Sequence, residues 1–458
     1  MTPTARAADR LDPAVLKLAA VLVLGALAPL LDSTIVNVAI HTLGAQLQAG
    51  VATLQWVSTA YLLALAVVIP VTAWASTRFG AKRLWIVALA LFLLGSVLSG
   101  LAWNAGALIA FRILQGVGAG LMLPTLQTLL MRAADREQLG RLMAVVTVPA
   151  LVGPILGPAV GGLLVSHLGW RSIFYVNIPI CLAAIALAIR VLPADEPAAV
   201  RRLDLTGLFL MSSGVAALLY GLTRTGPDGG FAHLDVLVPA IVGTALLIAY
   251  VARKPQQPLI DLNLFRTRSF AASTALLFLT GAALYGAMFL LPLFYQQARG
   301  ASVVAAGLLL VPQGLGSLLA RAAGGLSDRL GPRPVVLAGV TLTVIGTLPF
   351  AIPGTAYWVL AIGLVVRGAG LSAVNLSVMV GAFRDLRPEQ IPDASSMTRI
   401  VQQLGGAVGA AALAVILQTW LAGHSPASAY AGSFAWAIAF TALAAVPALA
   451  LPRRIRAA

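Results

Sequence analysis

Long apolar runs alternate with short breaks rich in Arg, Gly and Pro along almost the whole chain. A membrane-spanning helix needs about 20 mostly apolar residues. Windows of that length fall at 16–40, 52–75, 84–103, 105–130, 139–165, 171–192, 204–223, 234–252, 270–297, 303–326, 334–352, 356–383, 395–420 and 429–451. The pattern predicts fourteen helices and nothing else of regular structure.

Composition sharpens that reading. Of 458 residues, 60% are hydrophobic and 10% charged, which marks an integral membrane protein and not a soluble core. With the N-terminus inside, 25 of the 30 basic residues fall on cytoplasmic loops and tails, Arg399 at the start of the thirteenth window being counted there. The outer loops hold Arg171, Arg224 and Arg299, and only Arg112 and Arg367 lie within windows. Such a bias fixes both termini in the cytoplasm and an even number of helices in each half. The net charge of +15 then reflects orientation and anionic lipid headgroups, with no nucleic-acid partner. The single cysteine, Cys181, excludes a disulfide framework and a cysteine metal site. The first apolar run is too long for a signal-peptide core and reads as a retained first helix.

The loops repeat. Trp74–Arg83 after the second window matches Gly325–Arg333 after the tenth, and an in-helix arginine follows each, Arg112 and Arg367. The spacing from loop arginine to helix arginine is 34 residues (Arg78 to Arg112) in one half and 38 (Arg329 to Arg367) in the other. The chain therefore divides into a six-helix half at 1–195, two additional helices at 196–264 and a second six-helix half at 265–458. Repeated halves enclosing a midplane site are a transporter architecture.

Asp32 is the only carboxylate inside an apolar window and away from its ends. An ionisable group at that depth is costly and marks a proton or ion pathway. Asp32 lies about eight residues from the outer end of its helix and Arg112 about seven, so both sit roughly 10–12 Å below the boundary and can meet. Attraction to Arg112 favours a charged Asp32 and loss of water opposes it, a balance suited to proton exchange; a static ion pair locking two helices is the alternative. Arg367 has no acid in its half, and is either solvated and held by backbone carbonyls or contacts an anionic group on a substrate. Gly153, Pro154, Gly157, Pro158, Gly161 and Gly162 in the fifth window suggest a tight helix contact that forms and separates. Trp56, Tyr61, Tyr285, Met288, Phe289 and Phe294 either line a lipophilic cavity or face lipid, and Trp56 also suits an interfacial anchor. No metal-spaced histidine pair, nucleophile–base set or nucleotide loop stands out, so an enzyme is not expected.

Together these features resemble the major facilitator superfamily, and within it the fourteen-helix drug:proton antiporters. Leu31–Ala39 is similar to that family's first-helix motif, Arg112–Gly120 to its fourth-helix motif, Gly153–Gly162 to its antiporter motif, and Trp170–Pro179 to a further characteristic stretch. The resemblance implies an all-α membrane fold of two pseudo-symmetric halves, with Asp32 as proton carrier and Arg112 as its modulator. It places Asn37, Tyr61, Gln115, Tyr285, Met288, Phe289 and Arg367 at the substrate cavity. It gives Arg78, Gly80, Arg83, Gly153, Pro154, Gly157, Pro158, Asp328 and Arg329 to conformational motifs. Ala73 and Thr77 depart from the usual Gly and Asp of the first cytoplasmic motif, while Asp328 keeps the equivalent acid. The implied activity is efflux of a lipophilic small molecule against protons by a monomer in a bacterial cytoplasmic membrane. The proton gradient is the energy source, no cofactor is needed, and membrane lipids are the surroundings. One embedded acid argues for neutral or monocationic cargo over dicationic; the alternative cargo is a lipid or endogenous metabolite.

Overall fold

The computed structural model describes residues 12–133, 157, 160–195, 202–224, 233–253, 255, 257–320, 326 and 330–452. Among them every regular element is helical. The principal helices are α1 (Pro13–Leu47), α2 (Val51–Phe79), α3 (Ala81–Gly100), α4 (Ala105–Ala133), α5 (Ser172–Val191), α6 (Leu205–Thr223) and α7 (Leu234–Ala252). They continue as α8 (Arg268–Leu293), α9 (Val311–Leu319), α10 (Pro332–Thr347), α11 (Tyr357–Phe383), α12 (Ile391–Leu421) and α13 (Pro426–Leu443).

Twelve helices among the described residues are long and apolar enough to cross a membrane. They occupy twelve of the fourteen windows read from the sequence, the inserted pair α6 and α7 included. The fifth window lies mostly outside the described residues, and the tenth forms shorter helical pieces, Ala305–Leu319 being the apolar part.

Glycine contacts show how the repeat is built. A Cβ on Gly95 of α3 would come within 2.6 Å of the Gln115 backbone in α4, and one on Gly346 of α10 within 2.4 Å of the Arg367 backbone in α11. Likewise Gly116 leaves 2.4 Å to the Tyr61 carbonyl oxygen and Gly368 leaves 2.1 Å to that of Gln313. Arg367 therefore takes the place of Gln115, and Gln313 that of Tyr61. Matching Arg367 with Arg112, as the loop spacings suggest, is out of register by three residues, close to one helical turn, which accounts for three of the four residues by which the second spacing exceeds the first.

Local chemistry fixes the ends of several helices. Gly80 and Gly331 adopt φ of 92° and 87°, a region open to glycine, and start α3 and α10. Asp195, arriving from beyond α5, accepts the Lys82 and Arg83 amides at 2.8 and 3.0 Å, satisfying two orphan donors at the start of α3. Lys82 Nζ returns to the Ile189 and Leu192 carbonyls at 2.9 and 2.7 Å, so the two helix ends cap each other. The sequence motif around Gly80 and Arg83 thus finds its acid in Asp195, within the same half.

The inserted pair is not peripheral decoration. Helix α6 packs on both α2 and α12. Ser212 donates to the Val67 carbonyl at 2.6 Å, and Trp56 stacks on Tyr220 at 5.9 Å, giving Trp56 a protein partner beyond any interfacial role. At the base of the pair Arg253 bonds Asp204 at 3.1 and 3.3 Å. Tyr250 holds both the amide and the carbonyl of Ile260 at 3.0 Å, and the Asp261 amide donates to Asp393 of α12 at 3.0 Å. The connection from α7 to α8 is therefore stitched to the first turn of α12.

Candidate functional site

Asp32 sits in the middle of α1 and meets α4 and α5. One carboxylate oxygen, Oδ2, pairs with Arg112 Nη1. The other accepts Gln115 Nε2 at 3.0 Å and Asn177 Nδ2 at 3.4 Å. Every partner of Asp32 is a donor, the environment of an acceptor-only carboxylate. Both members of the ion pair are about 1% exposed.

A second ring of contacts fixes the first. Arg112 Nη1 also donates to Gln115 Oε1 at 2.8 Å, and Nε donates to the Val57 carbonyl at 3.2 Å. The guanidinium lies 4.0 Å above the Tyr61 ring, and the Tyr61 hydroxyl donates to the Pro29 carbonyl at 3.4 Å. Asn177 also donates to Ser96 Oγ at 3.0 Å, which in turn donates to the Phe174 carbonyl at 2.9 Å. A buried pair is costly to break from one side, because the charge left behind has neither water nor partner. The arrangement can hold a charge, exchange it for a proton, or lock α1 to α4; it cannot do any of these without α1 in place.

Gly157 and Gly161 of the fifth window touch α1 at the same level. A Cβ on Gly157 would lie 2.0 Å from Thr34 Oγ1 and 3.3 Å from the Leu31 carbonyl oxygen, and one on Gly161 2.6 Å from Ile35 Cγ1. The glycines expected to make a tight helix contact make it with the helix that carries Asp32. Gly153, Pro154, Pro158, Asp328 and Arg329 lie outside the described residues, as does the side chain of Asn37. Arg78 and Arg83 are exposed at the ends of α2 and α3.

Tyr61 and Gln115, assigned from sequence to a substrate cavity, are instead fully buried in the Asp32 cluster. Tyr285 is half-buried against Gly406, Met288 is half-buried and Phe289 exposed, while Phe294 is enclosed by Tyr430, Phe434 and Phe350. Arg367 is buried; it donates to Gln313 Oε1 at 2.7 Å and to the Ala283 carbonyl at 3.3 Å, both neutral acceptors. The backbone-and-amide environment is the one expected for a cation without an acid.

Arg399 is the main correction. Sequence reading put it in a cytoplasmic loop; it lies eight residues inside α12, about 12 Å from the start of that helix. Residues 391–398 before it are all buried, as are residues 370–383 of α11, and Gln127 of α4 reaches Met379 Sδ of α11 at 3.8 Å. Helix α12 also packs on α2 and α4. Arg399 stands just above that closed layer. Its Nη1 donates to Gln402 Oε1 at 3.0 Å, and Gln402 Nε2 donates to Asn375 Oδ1 at 3.3 Å. Among the described residues its Nε is buried with no acceptor. Asn177, Ser96, Gln313, Gln402 and Asn375 were likewise missed; only Asn177 carried a signal, inside the Trp170–Pro179 stretch.

The Major Facilitator Superfamily family model matches residues 22–410. The multidrug resistance protein B homolog of Mycobacterium tuberculosis (strain ATCC 25618 / H37Rv) is 40% identical over 425 residues, covering 91% of this chain and 78% of that protein. The putative multidrug resistance protein MdtD of Cronobacter sakazakii is 34% identical over 439 residues, covering 92% and 91%. Among solved structures the human organic anion transporter MFSD10 (TETRAN) superposes with a TM-score of 0.69 at 16% identity, over 95% of this chain and 100% of that one; the likeness concerns fold alone.

Proposed function

The chain belongs to the Major Facilitator Superfamily, and we propose that it is a proton-coupled exporter of lipophilic small molecules. It is a multi-pass transporter of the cell membrane and not an enzyme. The proposal extends to fourteen helices with both termini cytoplasmic, arranged as halves 1–195 and 265–458 around the pair in 196–264. Relatives named for multidrug resistance support the efflux direction.

The observation that carries the proposal is the Asp32 cluster. The buried Asp32 carboxylate, held by donors from α4 and α5 and pressed by Gly157 and Gly161, can exchange a proton only when α1 shifts. Helix movement and proton exchange then become one event. With the basic end in the cytoplasm, the closed layer below Arg399 makes this the state shut to the cytoplasm. In the proposed cycle Asp32 takes a proton from outside, α1 separates from Arg112 and Gln115, and the halves reopen inward. There the proton leaves and cargo enters. Proton and cargo exclude each other, so cargo binding releases protons and low pH weakens cargo binding.

Everted vesicles holding a respiration-driven proton gradient, read by a pH-sensitive dye, test this. Addition of cationic, neutral and anionic lipophilic compounds is expected to collapse the gradient with wild type and not with Asp32→Asn. Equal collapse in both would remove Asp32 from the coupling step. Silence in both would turn the search to lipids and metabolites.

The expectation of neutral or monocationic over dicationic cargo rested on a single embedded acid, whereas α12 buries Asp393 in its first turn and carries Arg399 half-buried six residues later.

A further inference from the structure

We infer that Arg399 and Gln402 form a cargo site for an anionic group, so that the transported class is lipophilic acids or zwitterions carrying a carboxylate. The inference rests on the efflux reading above and adds the charge of the cargo.

The charge balance between the two helix groups is the starting point. Asp32 and Arg112 cancel within one cluster. Arg367 is buried among neutral acceptors deep in the second group. Arg399 remains, half-buried in α12 with Gln402 as its partner, while the buried Asp393 six residues earlier accepts the Asp261 amide. A cationic cargo arriving there meets like charge with little water to screen it, which is unfavourable, whereas an anion gains charge-assisted hydrogen bonds.

The hydrogen-bond pattern points the same way. Gln402 is oriented from both ends: its carbonyl oxygen accepts from Arg399 and its amide donates to Asn375, which itself donates to the Leu371 carbonyl at 3.0 Å. This chain of amides holds one edge of the guanidinium. The Nε edge is left without an acceptor although that nitrogen is buried. A guanidinium offers two parallel donors along such an edge, the geometry that matches a carboxylate. A buried donor without a partner is costly, so the site is poised to gain from an anion that completes it. The buried residues 391–398 precede Arg399 on α12, so an occupant of the site rests against the buried end of that helix.

Matched naphthalene probes test the inference: 1-naphthaleneacetate, 1-naphthylmethylamine and 1-naphthaleneethanol, bound to the purified full chain in lipid nanodiscs and read by naphthalene fluorescence. Wild type is expected to bind the acetate about tenfold to a hundredfold more tightly than the alcohol, the size of a charged hydrogen bond. Arg399→Gln should bring the acid-to-alcohol ratio close to one, and Arg399→Lys, which keeps charge but not the planar fork, should fall between. Measurable alcohol binding by Arg399→Gln shows that the variant is folded. A preference for the amine, or an acid preference that survives Arg399→Gln, overturns the inference. So does equal binding of acid and alcohol together with stabilisation by chloride over gluconate, which would give the site to an inorganic anion. Gradient-driven uptake of the same probes into everted vesicles separates the two levels. Uptake without an Arg399-dependent acid preference removes only the anion site, whereas acid-selective binding with no uptake of any probe counts against efflux alone.

Discussion

Removing Arg112 and Asp32 singly and together measures what the buried pair contributes. In Arg112→Met the methionine fills much of the space above Tyr61, yet Asp32 keeps only Gln115 and Asn177 and loses its counter-charge. In Asp32→Asn the shape persists, but the guanidinium is left facing neutral groups. Uncovering one buried charge costs about 3–5 kcal/mol in either case. The double variant has no uncovered charge. It loses mainly the donors to the Val57 carbonyl and Gln115 Oε1, about 1 kcal/mol each. Single costs of about 3 kcal/mol against about 2 for the double imply a coupling of at least about 4 kcal/mol. SDS titration in bicelles, followed by tryptophan fluorescence, supplies the four free energies. Additivity within about 0.5 kcal/mol would refute the reasoning and assign the stability to the surrounding hydrogen bonds instead.

Gly157→Ala pushes a methyl toward Thr34 Oγ1, where 2.0 Å is available, and should destabilise this packing by about 1–3 kcal/mol. Thr34→Ala in the same chain should recover part of that loss in the SDS titration, and no recovery would mean the contact is not the cause. Partial burial alone would raise the Asp204 carboxyl, but the Arg253 hydrogen bond, the Gly207 amide and the Arg253 charge outweigh it and hold it below its ordinary value. A folded value below the unfolded one stabilises fully above about pH 4 and less as pH falls through the folded value, so wild type and Arg253→Gln should differ above about pH 4 and converge in acid. Arg367→Gln puts the residue of the equivalent position into the second half, and because no acid among the described residues loses its partner, the cost should stay within about 1 kcal/mol. A loss above about 3 kcal/mol would show that a carboxylate pairs with Arg367.

Twelve spans could be read from apolar run length because a helix in lipid must satisfy its own backbone, and that demand writes itself into composition. The meeting of Asp32 and Arg112 was legible for a related reason. Depth along two neighbouring helices follows from residue counts, and only one acid was available to pair. Their surroundings were not legible. Asn177 and Ser96 are ordinary polar residues in apolar helices, and nothing in their spacing shows that they face α1. Tyr61 looked like a cavity aromatic because an aromatic pattern does not reveal whether a ring covers cargo or a guanidinium. Arg399 was misplaced because it stands near the start of its hydropathy window and was counted with the adjoining loop. The helix itself continues two turns further, through buried residues that seal the basic end. The Arg112–Arg367 match failed for the same kind of reason: arginines stand out in apolar sequence, whereas register is set by glycines such as Gly95 and Gly346.

That register bears on how the two halves divide their work. If Arg367 matched Arg112, the second half would hold a cation one turn nearer the outer face, in the layer where the first half keeps its acid. Instead it occupies the Gln115 position, and Gln313 replaces the aromatic ring that covers Arg112. The Asp32 cluster then has no counterpart at the equivalent position of the second group, and it lies beside Gly157 and Gly161, which press on α1. The second half supplies fixed positive charge, Arg367 in its interior and Arg399 toward the partner group. A proton entering the Asp32 cluster changes the charge on one side of the seam only. An anion at Arg399 changes it on the other. Each event alters the field felt by the opposite group, and the closed floor between them is where the two halves must part. Coupling between proton and cargo can therefore act through the seam without the two ever sharing a residue.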